Sequence, residues 1–233
     1  MNFECRIPEK QLAGCIEHTL LSATATEEQI VQLCEQAIEY GFHCVCVSSR
    51  WVAVAADKLA GSRIKVCGVI SFPLGTDSTK IKANQAKEAI SAGADEIDMV
   101  ADLAAIIEGD SKYLFGQLQA VTRVCHSSSS KVLLKVIIES AGLNNQQKIF
   151  ACQVAQQAGV DFIKTSTGLH AAGGATLEDV KLIKQTAPDC RIKASGGIKT
   201  CGQAIEMLQA GAERIGTSSG VQIINQFRAG QLQ

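Results

Sequence analysis

Two lysines and one aspartate stand where they could do chemistry together. Lys164 ends the run Asp161-Phe162-Ile163-Lys164 and is followed at once by Thr165-Ser166-Thr167-Gly168. Lys193 ends Arg191-Ile192-Lys193 and is followed by Ala194-Ser195-Gly196-Gly197. An ammonium at the inner end of a strand loses hydration, and a second cation nearby disfavours its charge further. Lowering one lysine by about three units from its usual value near 10.4 takes roughly 4 kcal/mol of differential interaction. The neutral amine so produced adds to carbonyl carbons and forms Schiff bases. Asp98, in Glu96-Ile97-Asp98-Met99-Val100, would hold the second lysine charged and carry protons, directly or through water. The silent alternatives are lysines at solvent-exposed strand exits and an Asp98–Lys164 ion pair that only supports the fold.

Such a trio needs a frame that converges on one point. Apolar runs rich in β-branched residues alternate with segments of helical period, the pattern of repeated strand–helix units in a parallel sheet. Strands are expected near 16–20, 43–48, 64–70, 95–100, 132–138, 161–165, 191–194 and 213–216, with helices such as Glu27 to Tyr40, Ile81 to Ala92, Gln146 to Ala158 and Leu177 to Thr186 between them. A weak repeat sharpens the count: Ala92-Gly93-Ala94-Asp95, Ala158-Gly159-Val160-Asp161 and Ala210-Gly211-Ala212-Glu213 each lead from a helix into a strand, and Gly41 does the same after Tyr40. Each glycine can take the left-handed conformation that ends a helix. Five residues beyond the four glycines lie Cys46, Asp98, Lys164 and Gly216, equivalent positions on strands 2, 4, 6 and 8. In an eight-stranded barrel, alternate strands share a layer of interior side chains. One layer would hold a thiol, a carboxylate, an amine and a gap. The fold expected is α/β, a single-domain (β/α)8 TIM barrel over residues 1–233. A doubly wound open sheet fits the alternation less well, because no G-x-G-x-x-G opens its first unit.

Three glycine-bearing turns fall at the same end of that barrel: Thr167-Gly168, Ser195-Gly196-Gly197 and Gly216-Thr217-Ser218-Ser219-Gly220. Small residues let backbone N–H groups approach an anion, the last turn opens a helix, and barrels often bind phosphate after strands 7 and 8. A phosphorylated substrate is implied. Lys135 and Glu139, four apart on the fifth strand, share a face and are expected to form an interior ion pair. His18 reads as a hydrogen-bonded barrel residue rather than a proton carrier. Cys44 and Cys46 share one strand face while His43 points away, which argues against a metal cluster, and the chemistry needs no metal or cofactor.

Composition closes off other classes. The chain has 233 residues, 46% hydrophobic and 19% charged, as expected of a soluble globular protein. Its 22 basic and 23 acidic residues nearly cancel, leaving no basic field for nucleic acid or anionic membranes. No stretch approaches the roughly 20 apolar residues that span a bilayer, and charges interrupt the N-terminal segment where an export signal would need an apolar run. Only three prolines and one low-complexity stretch, Ser127 to Ser130, interrupt the chain. Ten cysteines without a C-x-x-C pair read as reduced, mostly buried thiols of a cytoplasmic protein. Nothing fixes the oligomeric state, and a homo-oligomer is compatible with the sequence.

These motifs together resemble the deoxyribose-phosphate aldolase family, from about Ile16 to Gly220. The resemblance is carried by Ile16-Glu17-His18-Thr19-Leu20-Leu21, Val45-Cys46-Val47, Ser71-Phe72-Pro73-Leu74-Gly75, Gly93-Ala94-Asp95-Glu96-Ile97-Asp98-Met99-Val100, Leu134-Lys135-Val136-Ile137-Ile138-Glu139, Lys164-Thr165-Ser166-Thr167-Gly168, Gly173-Gly174-Ala175-Thr176, Ile192-Lys193-Ala194-Ser195-Gly196-Gly197-Ile198 and Arg214-Ile215-Gly216-Thr217-Ser218. It implies a class I aldolase acting on a small phosphorylated sugar and aldehydes: reversible cleavage of 2-deoxy-D-ribose 5-phosphate to acetaldehyde and D-glyceraldehyde 3-phosphate. It further implies Lys164 as the Schiff-base lysine, Lys193 and Asp98 as its proton-transfer partners, and Thr167, Gly168, Ser195, Gly196, Gly197, Gly216, Ser218 and Ser219 as a phosphate cradle. The chain departs from the family pattern at Glu17, where aspartate is usual, at Ser48-Ser49, at Ser71 in place of glycine, at Ala101-Asp102 and at Leu169-His170-Ala171-Ala172. Glu17 and Cys46 are expected at the pocket, where the Cys46 thiol could capture an unsaturated aldehyde formed by condensation of acetaldehyde. The competing functions are another Schiff-base sugar-phosphate aldolase or transaldolase, and a sugar-phosphate-binding barrel without catalysis.

Overall fold

The computed structural model describes residues 7–127 and 131–231; Cys5 and Ser128 to Ser130 lie outside them. Eight parallel strands close in sequence order: β1 (Ile16–Leu20), β2 (Cys44–Ser48), β3 (Lys65–Ile70), β4 (Glu96–Val100), β5 (Leu133–Ile137), β6 (Phe162–Lys164), β7 (Arg191–Ser195) and β8 (Arg214–Thr217), with β8 pairing back onto β1. Helix α1 (Glu9–Ala13) precedes the barrel. Outside it run α2 (Glu27–Tyr40), α3 (Val52–Lys58), α4 (Thr79–Ser91), α5 (Leu103–Glu108), α6 (Ser111–His126), α7 (Asn145–Gln157), α8 (Leu177–Thr186), α9 (Cys201–Ala210) and α10 (Gly220–Gln231). Among the described residues no helix is long and apolar enough to cross a membrane.

The repeat read from the sequence is a repeat of hydrogen bonds. Gly41, Gly93, Gly159 and Gly211 all have positive φ, at 68°, 102°, 74° and 120°. The residue after each bonds back five positions: Phe42 to Ala37, Ala94 to Ala89, Val160 to Ala155 and Ala212 to Met207. This closure ends a helix cleanly and turns the chain at once into a strand. One residue later, His43, Asp95, Asp161 and Glu213 donate their amides to Ile16, Val66, Leu134 and Ile192, on strands 1, 3, 5 and 7. The even strands are thereby seated on the odd strands by one device used four times.

The apolar core lies between strands and helices, where Ile16, Ile30, Phe42, Ile97, Leu134, Ile163, Ile192 and Ile223 are buried. The barrel interior is different. Register places Cys44, Glu96, Phe162 and Arg214 at its floor, Glu17, Cys67, Lys135 and Lys193 in the middle, and Cys46, Asp98, Lys164 and Gly216 at the top. Branched apolar residues usually dominate such layers; here titratable side chains do. At the floor the Phe162 ring lies 4.1 Å from the Arg191 guanidinium and 5.8 Å from that of Arg214. Elsewhere among the described residues Cys34, Cys125, Cys152 and Cys190 are buried thiols and Cys15 and Cys201 are half-buried; burial pushes Cys34 and Cys190 up to about 11, and Cys125 and Cys152 up to about 12. Ser71 holds φ at 49°, a conformation costly for any residue but glycine, with its N–H donated to the Gln85 side chain at 2.8 Å.

Candidate active site

Asp98 is the hub of the interior. It is fully buried, and its Oδ2 accepts from Lys164 Nζ and from Lys193 Nζ, both at 2.7 Å, while its Oδ1 accepts from Lys135 Nζ at 3.0 Å. Burial alone would raise its pKa, yet the three ammonium groups hold its carboxyl well below the usual range. Lys193 also donates to Glu17 Oε2, and Lys135 reaches Glu17 Oε2 at 3.3 Å and Glu96 Oε2 at 2.5 Å. Burial works against the charge of Lys193 and Lys135, but their carboxylate neighbours override it and hold both well above the ordinary lysine value. Both remain cations at neutral pH. Glu17 behaves oppositely: burial outweighs its two lysines and pushes its carboxyl up.

Above this network opens a cavity of about 510 Å³ at the C-terminal ends of the strands, and Lys164 is the member of the buried charge network that lines it. Its neighbours there include Thr167, Gly168, Ser195, Gly196, Gly197, Gly216 and Ser218. The expected layer therefore forms as read: Cys46 Sγ lies 3.9 Å from Asp98 Oδ2, and the gap at Gly216 admits the Lys193 side chain. A β-carbon at Gly216 would sit 2.9 Å from Lys193 Cε. Asp98, Lys193, Glu17 and Cys46 lie beneath the wall rather than on it. The Cys67 thiol and burial hold the Cys46 thiol well above its usual value, so it stays protonated.

The glycine turns fit against one another. Gly168, Gly174 and Gly196 make backbone contact, and a β-carbon on Gly174 would fall 2.2 Å from the Gly196 carbonyl oxygen. Several expected anion donors are already committed. The Thr167 N–H points at the Glu139 carboxylate, 3.2 Å from each oxygen; the Ser195 N–H donates to Thr165 Oγ1 and its hydroxyl to the Ser166 carbonyl; the Ser219 N–H donates to Thr217 Oγ1. Ser219 faces an adjoining groove between α2 and α10. Lys199 was missed: exposed, two residues past Gly197, it brings a cation to the cavity rim. Its signal was its place in the turn after β7.

Two further expectations are corrected. Lys135 does not pair with Glu139, because β5 ends at Ile137 and Glu139 turns to φ 52°, beyond the reach of strand alternation. Its carboxylate anchors Thr167 instead. His43 precedes β2, so alternation does not fix its ring, which meets Glu96 Oε1 at 3.0 Å at the barrel floor. His18 is hydrogen-bonded as expected, to Gln36 at 2.9 Å. Ligand-type atoms of Cys46, Cys67 and Asp98, and of Glu17, Cys44 and Glu96, lie within 4.8 Å of one another in each set. The Lys135 ammonium already stands among them, 3.4 Å from Cys67 Sγ. A larger depression of about 670 Å³ between α7 and α8 holds an internal Lys148–Asp179 pair at 2.6 Å and stands apart from the network.

A parallel barrel whose mouth ends in a buried amine seated on a carboxylate has the layout of an enzyme that works on carbonyl compounds. Comparison narrows the class. The model of the DeoC/LacD family aldolases matches residues 15–226. Deoxyribose-phosphate aldolase of Geobacillus sp. (strain WCH70) is 49% identical over 217 residues, 93% of this chain and 96% of that protein. A crystal structure from Coccidioides immitis shares 38% identity at a TM-score of 0.90, covering 97% of this chain and 92% of the other. The tetrameric deoxyribose phosphate aldolase from Aeropyrum pernix shares 30% at 0.88, covering 95% and 93%. The chain belongs to the DeoC/LacD aldolase family.

Proposed function

We propose that this aldolase reversibly cleaves 2-deoxy-D-ribose 5-phosphate to acetaldehyde and D-glyceraldehyde 3-phosphate, with Lys164 as nucleophile. The observation that carries the reading is the position of Lys164: it reaches the cavity while its amine rests on Asp98 at 2.7 Å. As an amine it adds to the C1 aldehyde of the open-chain sugar, and loss of water gives the iminium. Removal of the proton from the C3 hydroxyl then breaks C2–C3, since the electron pair left at C2 is taken up by the adjacent iminium carbon as an enamine. Protonation at C2 and hydrolysis release acetaldehyde and restore Lys164. Lys193, charged and fixed on Asp98 and Glu17, keeps positive charge beside the reacting nitrogen. Asp98 passes protons between the amines and reaches substrate only through them or through water.

The phosphate is assigned to the Gly168, Gly196–Gly197 and Gly216–Ser218 turns with Lys199 at the rim; Thr167 and Ser195 shape these turns, and Ser219 stands at the edge. The reaction requires no cofactor. One aldolase domain over residues 1–233 acting in the cytoplasm completes the reading, and assembly into a homo-oligomer is in keeping with the tetrameric Aeropyrum pernix relative. Incubation with deoxyribose 5-phosphate and borohydride, followed by intact mass, tests it. A reduced two-carbon or five-carbon adduct is expected on the wild type and none on Lys164→Ala; an adduct surviving in the variant overturns the assignment.

A further inference from the structure

The interior holds three carboxylates and three lysines, and they are not equivalent. Glu96 and Asp98 are paired into their ionised forms, and Lys135 and Lys193 into their charged forms. These four cancel. The remaining pair is Glu17 and Lys164, which do not touch but are joined by a short chain: Lys164 donates to Asp98 Oδ2, Lys193 donates to the same oxygen at 2.7 Å, and Lys193 donates to Glu17 Oε2. Glu17 is fully buried, and its other oxygen, Oε1, has no hydrogen-bond partner among the described residues. A buried carboxylate with a bare oxygen is the acid of the three least suited to staying charged. The groups facing it are Cys44 of β2, Glu96 and Asp98 of β4, Lys135 of β5 and Lys193 of β7, with Cys67 of β3 in the same layer; β8 places Gly216 beside it.

We propose that Glu17 is the proton store of the Schiff-base cycle, holding the proton that Lys164 gives up to become a nucleophile and returning it when the carbinolamine loses water. The inference rests on the aldolase reading above. In the outward transfer a proton passes from Lys164 to Asp98, one passes from Lys193 to Glu17, and Asp98 reprotonates Lys193; Lys164 ends one proton short and Glu17 one proton richer. The amine then adds its electron pair to the aldehyde carbon, and one of its N–H protons moves to the resulting alkoxide to give the neutral carbinolamine. The reverse transfer delivers one proton to the carbinolamine hydroxyl, which leaves as water as the nitrogen lone pair forms the second C–N bond of the iminium. Glu17 is then an anion again, and the iminium stands in place of the ammonium. The buried network keeps the same net charge at every stage, so no step places an uncompensated charge in the barrel.

Glu17→Gln tests this, because it imitates the protonated acid but can return nothing. Acetylation of Lys164 by acetic anhydride at neutral pH, read by peptide mass, should proceed at least as fast as in the wild type, while turnover and borohydride trapping fall about tenfold or more. Glu17→Asp keeps an acid and should hold turnover within about threefold. A merely structural role would slow labelling and turnover together, which overturns the inference. So does unchanged turnover in Glu17→Gln, or a Glu17→Asp protein as impaired as a lesion of the site, a result that decides even if the glutamine variant does not fold. Failure of the wild type to trap substrate at Lys164 would instead strike the aldolase reading itself.

Discussion

The first four strands and the last four build opposite halves of one interior. β1 to β4 supply its acids and thiols: Glu17, Cys44, Cys46, Cys67, Glu96 and Asp98. β5 to β8 supply its amines, Lys135, Lys164 and Lys193, and the glycine turns above them. The ion pairs of these three lysines run to the other half: Lys135 to Glu17, Glu96 and Asp98, Lys164 to Asp98, Lys193 to Glu17 and Asp98. Each half by itself would bury like charges, which is prohibitively costly. Closure of the barrel is what neutralises them, so the same contacts that complete the fold set the charge of the reacting lysine's neighbours.

The charge balance between the two halves is most vulnerable at Asp98, where all three amines meet. Asp98→Ala should cost on the order of 3–5 kcal/mol of stability by leaving buried cations without their shared partner, and cleavage should fall below detection; urea unfolding and a coupled aldehyde assay read the two. Asp98→Asn, of the same shape, should keep more stability but little activity. A wild-type-like unfolding midpoint in Asp98→Ala would mean that the halves are not held together by charge.

Acid weakens the same contrast reversibly. Asp98 and Glu96 lie lower in the folded protein than the values near 4 of an unfolded chain, so their contribution is complete above about pH 4 and is lost as pH falls through the folded values. Glu17 lies higher, so its contribution is present at low pH and is lost as pH rises through its folded value. Lys135 and Lys193 lie higher than usual, so theirs persists below about pH 10.4 and is lost only as pH rises through the folded values. Urea midpoints measured against pH should show a broad plateau with a steep acid limb, and Asp98→Asn should flatten that limb.

The finest probe is Gly216→Ala. Its added carbon would crowd Lys193 Cε and Ser195 Cβ, each at 2.9 Å, with an overpacking cost of about 1–3 kcal/mol. Displacing the Lys193 amine from Asp98 should lower kcat more than it raises KM for the phosphorylated sugar. A change confined to KM would assign the glycine to the phosphate instead.

Much of this was legible because local rules repeat. Glycines at helix ends mark the strand starts, and a count of five from each reaches Cys46, Asp98, Lys164 and Gly216 in the sequence itself. The same period of two would have reached Glu96, two residues before Asp98 on its face, and Cys67 in register with Cys46. What local rules could not reach was set by closure or by irregular backbone. Glu17 meets Lys193 across 176 residues of chain. Glu139 left the strand before alternation could place it, and the amides of Thr167 and Ser195 were claimed by side chains that only tertiary packing brings near, while that of Ser219 turned to the hydroxyl of Thr217 two residues back.

The four helix-ending glycines also act as phase markers for the strands that follow. Because side chains alternate with a period of two, the five-residue interval from Gly159 to Lys164 decides whether that amine enters the barrel or lies among the helices. One residue inserted between Gly93 and Asp98 would turn the carboxylate out and Ile97 in, and would strand three amines at once. The turns after the strands shape the cavity, whereas the intervals before them set which side chains enter the barrel, and the chemistry depends on that count.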